Sequence, residues 1–143
     1  MQLKKLAGRF KGRFIFTNRF DEPLAHRLYG GGDLFLMPSL FEPCGLGQMI
    51  AMRYGSIPLA ADTGGLSNTV KDSSKKNPTG LLFARNSSQG MIEGLKGGLE
   101  ILETKNEAVY RKNSMNEDFS WNNSVEKYVK IYRRGLSDYE KDY

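Results

Sequence analysis

The sequence predicts an α/β fold on a doubly wound parallel sheet, and three observations predict it. Runs such as "LFLMP" (Leu34–Pro38) and "IPLAA" (Ile57–Ala61) are apolar at every position, the pattern of strands buried on both faces. Helical segments of about ten residues separate them, as in βαβ units. Beyond them the spacing is helical, at Met91, Leu95, Leu99 and Leu102 and again at Val125, Tyr128, Val129, Tyr132 and Leu136.

In chain order, "RFIFT" (Arg13–Thr17) reads as the first strand. A helix follows: Asp21 can cap it, Pro23 fits its first turn, Leu24 and Leu28 share a face, and Gly30 can supply a left-handed stop. The triple glycine Gly30–Gly32 follows a helix and precedes a strand, which is the wrong order for a phosphate loop. Strand Leu34–Pro38 leads through "SLFEPCG" into a helix from Leu46 to Gly55, with Met49 and Ile50 facing inward. Strand Ile57–Ala61 leads through "DTGG" into the short helical piece "LSNTV", and "GLLFA" is a strand after a polar loop. Trp121, Tyr128 and Tyr132 fall at helical spacing and are expected in the core.

At 143 residues the chain has the length of one domain. Its net charge is +5, but Lys and Arg are spread along it, and only "LKKLAGRFKGRF" is strongly one-signed. No basic stripe alternates with aromatics as in nucleic-acid binders, so nucleic acid is not expected as a partner. A single cysteine excludes an internal disulfide and a multi-cysteine metal site, and a single histidine excludes a His-based triad of metal ligands. No apolar run approaches the roughly 18 residues of a membrane helix, and no secretory segment follows Met1. The expected setting is the cytoplasm.

In open parallel sheets, ligands bind beyond the carboxyl ends of the strands, where loops enter helices. Two loops have that place here, "PSLFEPCGLG" and "DTGGL". Glycines 45, 47, 64 and 65 let backbone N–H groups come close to a ligand, and a helix start favours a phosphate or diphosphate. Glu42, a few residues upstream, is placed to accept hydrogen bonds from the hydroxyls of an attached sugar. From the residues alone, Glu42 either braces the helix start or contacts such a ligand. Cys44 lacks a base partner for nucleophilic work, since the only histidine, His26, lies in another segment.

With these residues in view, "FDEPLAHRLYGGGDLFLMPSLFEPCGLGQMIAMRYGSIPLAADTGGLSNTV" resembles the C-terminal, donor-nucleotide domain of bacterial glycogen synthases and plant starch synthases. These are retaining glycosyltransferases of the two-domain GT-B fold. "PTGLLF" and "FSWNNSVEKYVKIY" resemble later blocks of that family, and the resemblance runs from about Phe14 to Leu136. It implies transfer of glucose from ADP-glucose to the non-reducing 4-OH of an α-1,4-glucan, with retention and with neither metal nor cofactor. UDP-glucose remains the alternative donor.

Residue by residue, the resemblance makes Glu42 the glutamate that contacts the donor glucose and supports the transition state. It places the amides of Cys44 and Gly45 near the sugar, and those of Leu46 and Gly47 near the diphosphate. Tyr29, with His26 beside it in "HRLYGGGD", matches an aromatic that stacks on adenine. Gly64 and Gly65 match a second glycine turn lining the donor pocket. Ile50 stands where relatives with a Glu-x7-Glu pattern place a ribose-binding acid. Ala61 stands where synthases commonly have Arg.

The family also uses an Arg and a Lys from an "SRL…QKG" segment to neutralise the diphosphate, and no such segment occurs here. Residues 1–143 are therefore expected to form an incomplete doubly wound, Rossmann-like sheet of a GT-B C-terminal domain, with C-terminal helices. The first strands and the N-terminal, acceptor-binding domain are absent from it. A fragment of a synthase, inactive alone, is the leading expectation, from the bacterial cytoplasm or, alternatively, the plastid. The rivals are a non-catalytic remnant that binds nucleotide weakly or associates with a full-length synthase, and a basic module that binds polyanions in a salt-dependent way.

Overall fold

The computed structural model describes residues 2–139. Three parallel strands, β1 (Leu34–Met37), β2 (Ile57–Ala61) and β3 (Leu81–Phe83), form a sheet in the order β1-β2-β3. Leu34 pairs with Ile57, and Leu59 with Leu81. Before the sheet come α1 (Gln2–Arg9) and α2 (Glu22–Gly31); α3 (Gly47–Arg53) and α4 (Gly64–Thr69) make the crossovers; α5 (Ser88–Leu102), α6 (Asn106–Met115) and α7 (Trp121–Tyr139) follow.

β2 is buried at all five positions, as its unbroken apolarity predicts. Its residues alternate between two layers, so the sheet is covered on both faces. Ala60 packs with Met52 of α3, with Leu66 of α4 and with Val70, which follows α4. On the other face Ile57 packs with Ile101 and Tyr110, and Leu59 and Ala61 pack with Phe83. Burying a side chain such as Leu59 contributes about 1.5–3 kcal/mol.

α6 closes the amino end of the sheet. Arg111 donates to the Gly55 carbonyl at 2.6 Å and to Asp33 at 2.7 Å, just before β2 and β1. Asn113 donates to the Pro78 carbonyl and Ser114 to the Thr79 carbonyl, just before β3. With that end closed, the carboxyl ends of the strands are left for a ligand.

Several expectations need correction. Arg13–Thr17 is not a strand: no described strand runs beside it, and Ile15 is 86% exposed. α2 runs past Gly30 to Gly31, and its cap, Gly32, is extended rather than left-handed. On α3 the buried residues are Gln48, Ala51 and Met52, while Met49 and Ile50 are only half-buried. The helix is therefore turned by about one position from the expected face. Trp121, Tyr128 and Tyr132 are not core residues, because α7 has no buried residue and Trp121 is 75% exposed. The helices α1 and α6 lay in segments where the sequence singled out no separate element.

Candidate functional site

Beyond β1 and β2, the two glycine loops meet. The Gly65 N–H donates to the Glu42 carbonyl at 2.9 Å. A Cβ on Gly64 would lie 2.1 Å from the Glu42 carbonyl oxygen, and one on Gly65 would lie 2.1 Å from that of Cys44. Both opposing atoms are backbone and cannot step aside. Gly64 and Gly65 are therefore required by contact between the loops, and the Gly65 amide is already used. The sequence read these glycines as openings for a ligand; the geometry gives them a packing task first.

Gln48, in the first turn of α3, ties the loops together. Fully buried, it donates through Nε2 to the Gly45 carbonyl at 2.8 Å, the Cys44 carbonyl at 3.2 Å and Thr69 Oγ1 at 3.0 Å. Thr69 in turn donates to the Gly65 carbonyl at 2.7 Å. Sequence reasoning missed Gln48. Its signal was there: a polar residue inside the apolar helical pattern that follows "CGLG".

This bracing leaves the Glu42 side chain out of the loop's own structure. α3 has no side-chain cap, so Glu42 does not cap it. Glu42 is half-buried, and its backbone carbonyl rather than its carboxylate holds the neighbouring loop. Cys44 is a free, exposed thiol.

α2 brings Tyr29 and His26 to the same region. Tyr29 lies 5.1 Å from Phe35 and stacks on Tyr54 at 6.3 Å, ring centroid to centroid, with an interplanar angle of 17°. His26 Nδ1 is 2.9 Å from the Tyr54 hydroxyl. A side chain at Gly47 would meet the Phe35 ring at 3.2 Å and the Tyr29 hydroxyl at 3.5 Å, so Tyr29 sits beside the start of α3. A cavity of about 330 Å³ takes in His26, Tyr29, Ile50 and Phe20. Phe20, which sequence reasoning did not single out, is 96% exposed.

The predicted residues thus fall into two adjoining groups, the loop pair around Glu42 and the α2 pocket around Tyr29. A larger cavity of about 490 Å³ lies across the outer face of α3, where Leu46 and Ile50 meet Arg53 and Phe119. Ala61 is buried in the packing of Leu59 and Phe83, and also lines a cavity of about 290 Å³ at the carboxyl ends of the strands. Among the described residues, no three His, Cys, Asp or Glu side chains cluster to hold a metal ion. No described helix is long and apolar enough to cross a membrane.

Known proteins are similar to this chain in sequence and in fold. Residues 1–100 match the family described as glycosyl transferases group 1. The glycogen synthase of Thermodesulfovibrio yellowstonii is 40% identical over 141 residues, which are 98% of this chain and 28% of that protein. The glycogen synthase of Alkaliphilus metalliredigens is 44% identical over 125 residues, 83% of this chain and 26% of that protein. Among solved structures, the catalytic domain of Arabidopsis thaliana starch synthase IV, bound to ADP and acarbose, superposes with a TM-score of 0.81 at 36% identity. It covers 95% of this chain and 29% of that one. The chain thus spans a little over a quarter of the length of the curated relatives it matches.

Proposed function

The chain belongs to the group 1 glycosyltransferases, and from that premise we propose that it carries the donor side of a glycogen or starch synthase site. The donor is ADP-glucose, with UDP-glucose as the alternative; the acceptor is an α-1,4-glucan, held by protein outside these residues. The setting is the bacterial cytoplasm. The observation that carries the reading is the Glu42 loop. Gln48 and the Gly64–Gly65 turn fix its backbone, and helix capping does not use its carboxylate. A carboxylate on a braced loop beyond parallel strands is suited to hold the hydroxyls of a sugar.

In the reaction, the bond between glucose C1 and the diphosphate oxygen breaks, and a new bond forms from C1 to the acceptor 4-oxygen. ADP leaves, and the acceptor loses its proton. Positive charge develops at C1, where the Glu42 carboxylate favours it. The amides of Cys44 and Gly45 line the sugar side, and those of Leu46 and Gly47 the diphosphate side. Gly64 and Gly65 shape this pocket by letting the loops touch, rather than by offering both amides. The base lies against the α2 pocket of His26 and Tyr29, where Phe20 adds an exposed ring. Ile50 gives the ribose no acceptor, so its hydroxyls are read elsewhere. Cations that neutralise the diphosphate come from outside this sequence, so the chain alone binds donor without transferring glucose.

The test is thermal unfolding with ADP and with ADP-glucose. A ligand at 100 times its Kd stabilises the folded state by about 2.7 kcal/mol. Both ligands are expected to raise the midpoint, and ADP-glucose more than ADP. Glu42→Gln should remove the excess due to glucose while keeping the response to ADP. A cooperative transition that neither ligand moves would overturn the reading. The polyanion-binding alternative would instead give salt-dependent binding indifferent to ADP.

A further inference from the structure

No residue of α2 is buried, and its contact with α3 centres on Tyr54. Tyr54 meets His26, Tyr29 and Gly30, which share one face of α2 at i, i+3 and i+4. Its hydroxyl is 2.9 Å from His26 Nδ1, and its ring runs nearly parallel to that of Tyr29, with centroids 6.3 Å apart. A Cβ on Gly30 would lie 3.3 Å from the Tyr54 ring, so a side chain there would press the two helices apart.

Tyr54 is itself firmly held. Its N–H closes α3 on the Ile50 carbonyl at 3.1 Å, and Gly55, with φ of +80°, turns the chain toward buried β2. Arg111 fixes that turn by donating to the Gly55 carbonyl at 2.6 Å. Yet Tyr54 is 46% exposed, so core packing does not explain a tyrosine here. The segment "RYG" stands between the two glycine loops in sequence, and the donor site described above leaves its tyrosine without a task.

The imidazole shows what that task is. A neutral ring carries one proton, and the bond at one nitrogen decides what the other can do. If the Tyr54 O–H donates to Nδ1, Nε2 keeps its N–H and turns it toward the Glu22 carboxylate, 4.0 Å away. The opposite arrangement would aim a lone pair at that carboxylate and leave the phenol proton without an acceptor among the described residues. The first arrangement is therefore favoured. At 4.0 Å the carboxylate is too far to take a hydrogen bond, so the Nε2–H is free for a ligand. Glu22 and His26 both line the 330 Å³ cavity beside Tyr29.

We propose that Tyr54 is a positioning residue for the nucleotide base: its hydroxyl holds His26 as the Nε2–H tautomer, which donates to an acceptor atom of the base. The base then meets a donor of fixed direction beside the Tyr29 ring. This rests on the donor reading above, but the tautomer is read without nucleotide, so the two fail separately.

The experiment begins with proton–nitrogen correlation NMR of the imidazole at pH 8, above the ordinary histidine value of about 6.5. The chain has a single histidine, so the ring signals belong to His26. The expected spectrum has a proton on Nε2 and a hydrogen-bonded Nδ1. Tyr54→Phe removes only the hydroxyl, and should move the Nδ1 signal to that of an unbonded ring nitrogen. Titrations with ADP and with inorganic pyrophosphate, which has no base, follow on both proteins. Tyr54→Phe should weaken ADP about fivefold, the worth of one hydrogen bond, and leave pyrophosphate unchanged. A proton on Nδ1 in the unchanged chain, or an Nδ1 signal that Tyr54→Phe leaves in place, would overturn the inference. So would ADP binding that Tyr54→Phe leaves alone or weakens only in step with pyrophosphate. An unchanged chain that ignores ADP while the His26–Tyr54 bond is intact would overturn the donor reading, and the role for the base with it.

Discussion

β2 and α7 carry apolar patterns of similar clarity, and the structure treats them in opposite ways. Every residue of β2 is buried between two helical layers, whereas α7, also strongly patterned, has no buried residue. A pattern shows that a face is suited to burial. Which surface covers it is a separate fact, held by other residues. β2 finds its cover in α3, α4, α5 and α6; among the described residues α7 finds none.

The widest test of this contrast is truncation in both regions. Leu59→Ala empties a fully buried site packed against Phe83 and Ala61. Its expected cost is about 2–5 kcal/mol in denaturant unfolding. Trp121→Ala removes a far larger side chain, yet the ring is 75% exposed, and the change should stay within about 0.5 kcal/mol. A Trp121 effect as large as that of Leu59 would show that α7 belongs to the cooperative unit, and the contrast would fail.

The same distinction separates what was legible in the sequence from what was not. Ile57–Ala61 was legible to the residue, because a strand buried on both faces leaves a local signature. The place of the two glycine loops, beyond the carboxyl ends of β1 and β2, was also legible, since each follows an apolar run and enters a helical pattern. "RFIFT" was misread because strandness depends on a neighbour, and the neighbour is not written in the strand. Trp121, Tyr128 and Tyr132 were misread for the same reason: helical spacing gave their face without its cover. The purpose of Gly64 and Gly65 was half legible, because "GG" signals a close approach but not whether ligand or chain approaches. Gln48 went unread because its partners come from three separate places, Cys44, Gly45 and Thr69.

Glycines sharpen the comparison at an intermediate scale. Gly65→Ala drives a Cβ against the Cys44 carbonyl, and should cost at least the roughly 1–3 kcal/mol of ordinary overpacking, measured as a lower thermal midpoint. It should also abolish the response to ADP, since the two loops must part to admit the methyl group. Gly135→Ala, in α7, meets nothing within 4 Å. There the gain in helix propensity, about 1 kcal/mol, should appear as increased helicity by circular dichroism. One substitution thus breaks a contact in the first region and firms an element in the second.

The smallest effects come from a motif that occurs in both regions. Asp72 accepts hydrogen bonds from the Ser74 hydroxyl at 2.6 Å and the Ser74 amide at 2.7 Å, and these hold its carboxyl below the ordinary range. Asp118, just before α7, accepts from Ser120 in the same way, with the same direction of shift. A carboxyl whose folded value is lowered adds stability above its unfolded value, about 3.9. That stability disappears as pH falls through the lower folded value. Ser74→Ala and Ser120→Ala should each raise the titration midpoint of the partner carboxyl toward the ordinary value, followed by NMR of the carboxyl carbons. They should part company in unfolding. Asp72 lies in the loop that joins α4 to β3, so Ser74→Ala should lower the midpoint at pH 6 and lose that effect near pH 3. The Asp118 turn precedes a helix that the core does not hold, so Ser120→Ala should move the titration and leave the melting of the sheet unchanged. Equal melting shifts for both would mean that α7 and β2 unfold as one.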